Sequence, residues 1–407
     1  MAAMLPLIAA AAPAFAQADV VATSLGGGQY PRLDFNLSFK SSYDTNVART
    51  SAEAADARGI EEKDFRFTPA LNVDIYRPLG TGYASLAGLV GYDFFASNTV
   101  LNRERIELNG GAGQRLGPCA INATSDYGRR QSDFANLTLQ ELASEYDIET
   151  QNVETRFNVG GLLACGGTVG LMPFGVISYG TARNSSILRL GQDADLLTYG
   201  GGLLYTHPAV GEIRLFGTQS DIDFIKRDGV IYLGAPKIST RSAGIRIARE
   251  LGARLSGHVM FMYTDVDQGS SVKSFSGTTW EGQLALRATD RLRLEAAASR
   301  SIDPSLGFNV DYIKMENYSL KAIYSLGARS SFTLGGEHRI RDLVYSLVTN
   351  PDTLNHDSTN RVLGSFRFDA NRRLGLVFDV GYEKRDADAD YYDYDSFQAA
   401  MTILVRL

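Results

Sequence analysis

The C-terminal stretch constrains the fold more than any other part of the chain. From Phe397 to Leu407 every second residue is apolar, and Gln398, Thr402 and Arg406 lie among the residues between them. A period of two is typical of a β-strand with one apolar and one polar face. A strand that runs to the last residue leaves an edge unpaired, and pairing with the first strand removes that edge. Strands of about ten residues with this pattern predict a transmembrane β-barrel.

The same alternation recurs along most of the chain. It indicates about eighteen strands, an even number as bacterial barrels require. The predicted strands are 33–40, 65–75, 83–97, 103–114, 119–133, 148–164, 167–182, 195–206, 211–222, 237–249, 253–265, 274–288, 290–301, 311–325, 328–341, 360–369, 372–384 and 393–407.

The connections between these strands alternate between long and short. Long connections include 46–63, 134–147, 342–359 and 385–392, whereas the turn at 116–118 is short. Outer-membrane barrels place short turns in the periplasm and long loops outside. A soluble sandwich would not alternate so strictly, and a β-solenoid would need a fixed repeat. We therefore predict an all-β fold, a closed antiparallel transmembrane β-barrel with short periplasmic turns and long outer loops.

The N-terminal residues predict export. Residues 1–16 contain an apolar core and end in Ala14-Phe15-Ala16, a small-x-small cleavage site, so they are interpreted as a signal peptide. The alternative is an apolar N-terminal helix that stays attached. Residues 17–30 are interpreted as a flexible periplasmic lead-in and 31–407 as the barrel, located in the outer membrane of a Gram-negative bacterium.

Composition argues against several other functions. The net charge is -6 and no basic cluster stands out, which argues against a nucleic-acid partner. The four histidines form no grouping with a nucleophile and no Cys/His metal spacing, so we expect neither an enzyme nor a cofactor. Spaced carboxylates in 386–395 could hold calcium, but the Ca-loop glycine and final glutamate are missing, which favours a solvated loop.

The polar face of the predicted strands is heavily charged. Such residues would be costly in hydrocarbon, so we expect them to face a wet lumen and to act as wetting and selectivity groups. The lumen-lining candidates are Arg66, Arg105, Glu107, Arg156, Arg214, Arg246, Glu281, Arg287, Arg293, Glu295, Glu337, Arg339, Arg367 and Asp379.

Cys119 and Cys165 are the two cysteines of the chain. One begins a predicted strand and the other ends the next, so antiparallel pairing would place them side by side at the periplasmic rim. Export to an oxidising compartment favours a disulfide between them. The alternative is two free thiols.

Two stretches resemble a known family. Ser42-Tyr43-Asp44-Thr45-Asn46-Val47 and Asp64-Phe65-Arg66-Phe67-Thr68-Pro69-Ala70-Leu71 resemble the outer-membrane β-barrel porin family of proteobacteria that is often found with exopolysaccharide synthesis genes. The resemblance implies a porin-like barrel and a role in polysaccharide export. It implies no catalytic residue.

These observations favour an outer-membrane channel for a hydrophilic solute, with exopolysaccharide export as the leading hypothesis. A general or nutrient-specific porin is the first alternative, and a non-conducting structural or adhesion barrel is the second. The expected partners are outer-membrane lipids, the outer-membrane assembly machinery during biogenesis, and a polysaccharide or small hydrophilic solute.

Overall fold

The computed structural model describes residues 30–132, 151–227, 235–269, 273–304, 310–345 and 354–407. The predicted signal peptide lies outside the described residues, as do the lead-in up to residue 29, the loop 134–147 and part of 342–359. Among the described residues, no helix is long and apolar enough to cross a membrane.

The described residues form eighteen strands and one short helix. The strands are β1 (Arg32–Asp44), β2 (Asp64–Leu79), β3 (Gly82–Phe95), β4 (Arg103–Leu116), β5 (Cys119–Gln131), β6 (Val153–Cys165), β7 (Gly170–Asn184), β8 (Ala194–His207), β9 (Gly211–Phe224), β10 (Lys237–Leu251), β11 (Leu255–Asp267), β12 (Phe275–Arg287), β13 (Leu292–Pro304), β14 (Tyr312–Gly327), β15 (Ser330–Val344), β16 (His356–Asp369), β17 (Leu374–Ala387) and β18 (Tyr394–Arg406). The helix is α1 (Ala52–Ala57), in the first long loop.

Every strand pairs antiparallel with its neighbour in sequence, and β1 also pairs with β18. Across this seam the register runs from Asn36 opposite Arg406 to Asp44 opposite Gln398. The closed sheet has no free edge, which removes the hazard that a terminal strand would create. The structure confirms the predicted closed antiparallel barrel of eighteen strands.

The strand ends differ from the predicted ones mainly on the side of the long loops. Strand β16 begins at His356 rather than at 360, because its first residues are polar and do not alternate with apolar ones. Helix α1 was not predicted; it begins after Ser51, whose hydroxyl accepts a hydrogen bond from the backbone N–H of Ala54. Short 3₁₀ turns also interrupt the loops, at Thr99–Leu101, Ile187–Gln192 and Asp390–Tyr392.

Short turns lie at the end of the barrel where β1 begins and β18 ends, and long loops lie at the other end. Gly80 and Gly117 occupy these turns with φ of 61° and 60°. Glycine adopts this left-handed conformation without the steric cost that a side chain brings. We refer to the two ends as the turn end and the loop end.

The disulfide joins two neighbouring strands at the turn end. Cys119 begins β5 and Cys165 ends β6, and the two residues are directly opposite each other in the register. Their Sγ atoms are 2.10 Å apart.

The two faces of the wall differ in chemistry. Large apolar side chains are exposed on the outward face, for example Leu320 at 62%, Val380 at 52% and Phe94 at 46% exposure. Exposure of so many apolar side chains requires an apolar surrounding. A closed barrel with such a band is the architecture of proteins of the bacterial outer membrane.

Candidate functional site: the barrel interior

The lumen-lining candidates all share the face of the wall opposite the exposed apolar side chains. Residues that are opposite each other in antiparallel strands point to the same face. The pairing of each strand with the next therefore shows which residues of every strand face inward. Arg66 is opposite Ser42, Arg339 is opposite Thr359, and Asp379 is opposite Ala400. Ala400 is in turn opposite Ser42, which closes the circle across the seam.

Ion pairs between residues two apart on one strand recur on this inner face. Side chains at i and i+2 of a strand point to the same side, so opposite charges at that spacing can meet. These pairs are Arg105 with Glu107 (3.0 Å), Glu154 with Arg156 (2.7 Å), Glu212 with Arg214 (2.7 Å), Arg293 with Glu295 (2.8 Å) and Arg367 with Asp369 (3.4 Å).

Several of these charged side chains are open to solvent from the inside. The side chains of Arg293, Glu281 and Arg156 are 57%, 43% and 40% exposed. Among the other candidates, Asp379 accepts a hydrogen bond from the Ser365 hydroxyl at 2.7 Å. A charged side chain that keeps this much exposure on a concave wall requires a water-filled space beside it.

Charged residues of both signs lie on the inner face of β1 to β4. Lys40, Arg66 and Arg105 face inward there. Asp379 and Asp93 lie within electrostatic reach of Lys40, and Asp93 also lies within reach of Arg66. Arg105 binds Glu107 at 3.0 Å. Elsewhere on the inner face, Glu337 is opposite Arg361. The three cations therefore lie among acidic groups and belong to a surface of mixed charge.

The inner face of β6 to β11 is different, because part of it is apolar and buried. Leu162, Phe174, Phe216 and Met260 pack together with at most 9% exposure. Arg214 is 3% exposed and Arg246 is 9% exposed; Arg214 lies 5.7 Å from the Phe174 ring centroid. The two arginines face inward but bind Glu212, at 2.7 and 3.2 Å, and offer little surface to solvent.

The first long loop, residues 45–63, folds against the inner wall at the loop end. Ala48, Ala55 and Ile60 of this loop pack on Leu101, each at most 2% exposed, with the inward-facing Phe95 beside them. Small apolar residues allow this close approach. The loop thus lines the mouth of the barrel instead of extending into solvent.

The first loop also contacts the last loop, and the loop between β7 and β8 lies nearby. Thr50 donates its hydroxyl to the carbonyl of Tyr391 at 2.7 Å. Arg58 donates to the carbonyl of Ala48 at 2.8 Å and lies within electrostatic reach of Arg189, in the loop between β7 and β8. Burial lowers the pKa of Arg58 to about 10.

A buried acid between two arginines was not among the predicted site residues. Asp357 has no exposed side-chain surface, and it accepts from Arg341 Nη2 at 2.8 Å and from Arg385 Nη2 at 2.7 Å. The guanidinium of Arg385 also lies 5.5 Å from the ring centroid of Tyr392, in the last loop. The sequence signal is weak, because the three partners lie on three strands and form no local motif.

The histidines and the acidic segment 386–395 form no metal centre in the described part of the chain, where no group of three or more His, Cys, Asp or Glu could hold an ion. His258 faces inward and pairs with Glu281 at 3.0 Å, whereas His338 faces outward and pairs with Asn360 at 2.8 Å. In the acidic segment, Asp393 accepts from the backbone N–H of Ala387.

No family model matches the chain, and no curated protein matches it. Solved structures do match. A BenF-like porin from Pseudomonas fluorescens Pf-5 aligns with a TM-score of 0.50 at 13% identity, covering 93% of this chain and 100% of that chain. OccK2 (OpdF) from Pseudomonas aeruginosa aligns with a TM-score of 0.49 at 12% identity, covering 92% and 98%, and a further structure of that protein is a complex with glucuronate. Likeness at this identity concerns the fold alone, so the chain has the closed antiparallel barrel fold of an outer-membrane porin.

Proposed function

We propose that the protein is a passive channel for small hydrophilic solutes across the outer membrane of a Gram-negative bacterium. The observation that carries the proposal is the pairing of a solvent-open, charged inner face with an apolar outward face. Barrels of 16–18 strands generally leave an aqueous passage. Leaving these charges unpaired in a dry lumen would cost several kcal/mol per ion.

A small solute is favoured over an extruded polymer. The link to exopolysaccharide export rests on the sequence resemblance alone. A polymer needs a lumen that is open along the whole length of the barrel. Here loop 45–63 packs on the inner wall at the loop end, and a cluster of buried apolar side chains covers part of the inner wall at β6 to β11. A general or nutrient-specific porin therefore accounts for the interior better than an exporter.

The inward charges are proposed to keep the passage wet and to bias which ions enter it. Lys40 and Arg66, with the acids near them, would keep their part of the passage wet. Ion pairs such as Arg105 with Glu107 would hold their own side chains against the wall. Arg214 and Arg246 would contribute through their bonds to Glu212, since both are buried. Targeting by the predicted signal peptide and insertion by the outer-membrane assembly machinery belong to the same proposal.

Two glutamates of β4 provide a matched test. Glu107 faces inward with 38% side-chain exposure, whereas Glu104 faces outward with 36% exposure and binds Arg129. Purified wild-type protein is expected to raise the conductance of a planar bilayer in discrete steps. Glu107→Gln is expected to shift the reversal potential in a KCl gradient toward anion selectivity, because it removes a negative charge from the passage.

Glu104→Gln is the control and is expected to leave the reversal potential unchanged. The shift caused by Glu107→Gln should shrink between 0.1 M and 1 M salt, because the Debye length falls from about 10 Å to about 3 Å. A wild-type protein that folds but produces no conductance steps would favour the non-conducting structural barrel. Equal shifts in the two variants would contradict the assignment of an inner conducting surface.

A further inference from the structure

Loop 45–63 is attached to the inner wall at the seam where the first and last strands pair. The attachment is centred on Arg49, whose side chain is 14% exposed. Its guanidinium donates to both carboxylate oxygens of Asp44 on β1, from Nη2 to Oδ2 at 2.7 Å and from Nη1 to Oδ1 at 3.0 Å. The same Nη1 donates to the hydroxyl of Ser396 on β18 at 3.0 Å.

A third strand and an aromatic ring complete this surrounding. Arg49 Nε lies 3.8 Å from Glu383 Oε1 on β17. Its guanidinium carbon is 5.9 Å from the ring centroid of Tyr394, whose hydroxyl donates to Glu383. One loop side chain therefore contacts β1, β17 and β18 from the inside.

We propose that loop 45–63 sets the upper size limit of the passage and that Arg49 is the positioning residue that holds the loop in the mouth. The claim about the size limit rests on the proposed function of the protein as a channel. The attachment of the loop by Arg49 is a separate claim that can be measured without any solute.

The backbone and the charge of Arg49 both point to a specific role. Arg49 has a φ of 53°, the one non-glycine residue with positive φ in the described ranges. Such a conformation persists in a non-glycine residue only where the surroundings hold it. Burial would lower the pKa of Arg49, but Asp44 and Glu383 outweigh burial and raise the pKa. The side chain thus stays charged in place.

An arginine suits this position better than a lysine. Its planar guanidinium makes the paired contacts with Asp44 and still reaches Ser396. A lysine ammonium keeps the charge but cannot make the two parallel bonds to the carboxylate. Arg49→Lys should therefore loosen the loop less than Arg49→Ala.

The release of the loop can be followed with a thiol at position 55. Ala55 is fully buried in the cluster that the loop forms with Leu101, and the described residues contain no free cysteine. In an Ala55→Cys background, a membrane-impermeant maleimide should label the thiol slowly. Adding Arg49→Ala should raise the labelling rate about tenfold or more, because protection depends on how often the loop opens.

Conduction through the same variants tests the size limit. Arg49→Ala should increase single-channel conductance and admit larger sugars in liposome swelling than the wild type admits. Arg361→Ala is the matched control, because Arg361 Nε also lies near Glu383, at 3.4 Å, but belongs to β16 and not to the loop. It removes the same charge near the same acid without changing a residue of the loop, so it should leave the labelling rate unchanged.

The outcomes separate the two claims. Unchanged labelling in Arg49→Ala would overturn the positioning role. Faster labelling with an unchanged sugar cut-off would overturn the size limit while keeping the attachment. A wild-type protein that does not conduct overturns the proposed function and the size limit together, whereas the labelling rate still decides the attachment. If Arg49→Ala fails to give a heat-modifiable folded barrel, Arg49→Lys and Asp44→Asn take its place.

Discussion

At the scale of single residues, Asp357 is expected to contribute strongly to stability. It is completely buried, and it is the shared acceptor of Arg341 and Arg385, which are 9% and 3% exposed. Removing one partner of a buried ion pair typically costs about 3–5 kcal/mol, because the remaining charges stay buried without compensation. Asp357→Asn is therefore expected to lower the free energy of unfolding by roughly this amount.

Urea unfolding in detergent, followed by fluorescence of the single tryptophan of the chain, measures this loss. Asp386→Asn is the control, since Asp386 pairs with Lys384 on the outside of the neighbouring strand and both side chains are 52% exposed. Exposed pairs contribute about 0–1 kcal/mol, so the control should unfold like the wild type. Equal stability of the two variants would show that Asp357 does not bind the arginines in solution.

At the scale of structural elements, the hairpin of β5 and β6 carries the disulfide. Cys119 and Cys165 close 46 residues of sequence, and the chain-entropy model assigns roughly 3–4 kcal/mol to a loop of this length. The gain in the finished barrel should be smaller, because the strand pairing already holds the hairpin. We expect the bond to matter most while the unfolded chain crosses the periplasm.

Replacing both cysteines by serine should reduce the yield of folded barrel and leave its conductance unchanged. Mass spectrometry of the wild type without reductant should detect a peptide pair that joins Cys119 to Cys165. Cys119→Ser alone should leave Cys165 open to alkylation and serves as the control. Alkylation of both wild-type thiols without reductant is the result that would rule out the bond.

At the scale of the whole molecule, the placement of loops and turns defines how the barrel sits in the membrane. Glu53 lies in the first long loop and Asp390 in the last, whereas Thr81 and Arg329 lie in turns at the other end. Cysteines introduced at the first two positions should react with an impermeant maleimide on intact cells. Those at Thr81 and Arg329 should react only after the outer membrane is permeabilised.

Reaction at Thr81 or Arg329 from outside would reverse the orientation, with the long loops in the periplasm. Protection at all four positions would mean that the barrel is not inserted. The wild-type protein, whose described cysteines are joined in the disulfide, provides the background labelling level.

Much of the barrel followed from sequence because strand alternation is a local property. The backbone sends successive side chains to opposite faces, so the face of Arg105 or Glu295 depends only on its parity within a strand. The number of strands and the alternation of turns and loops follow from the same short-range pattern. Charges two residues apart, such as Glu154 and Arg156, share a face for the same reason.

The position of a residue within its strand could not show whether an inward side chain is open to water or buried. That property depends on the tertiary structure. Arg214 and Arg293 have the same inward parity, but Arg214 is buried beside Phe174 and Arg293 is open to solvent. The difference arises from neighbours on other strands. Likewise, Arg49 meets Ser396 only because closure brings β1 beside β18, although the two residues are 347 positions apart in sequence. The period of two determined the faces of the strands, whereas the closed sheet determined which distant side chains meet, because such contacts depend on which strands become neighbours.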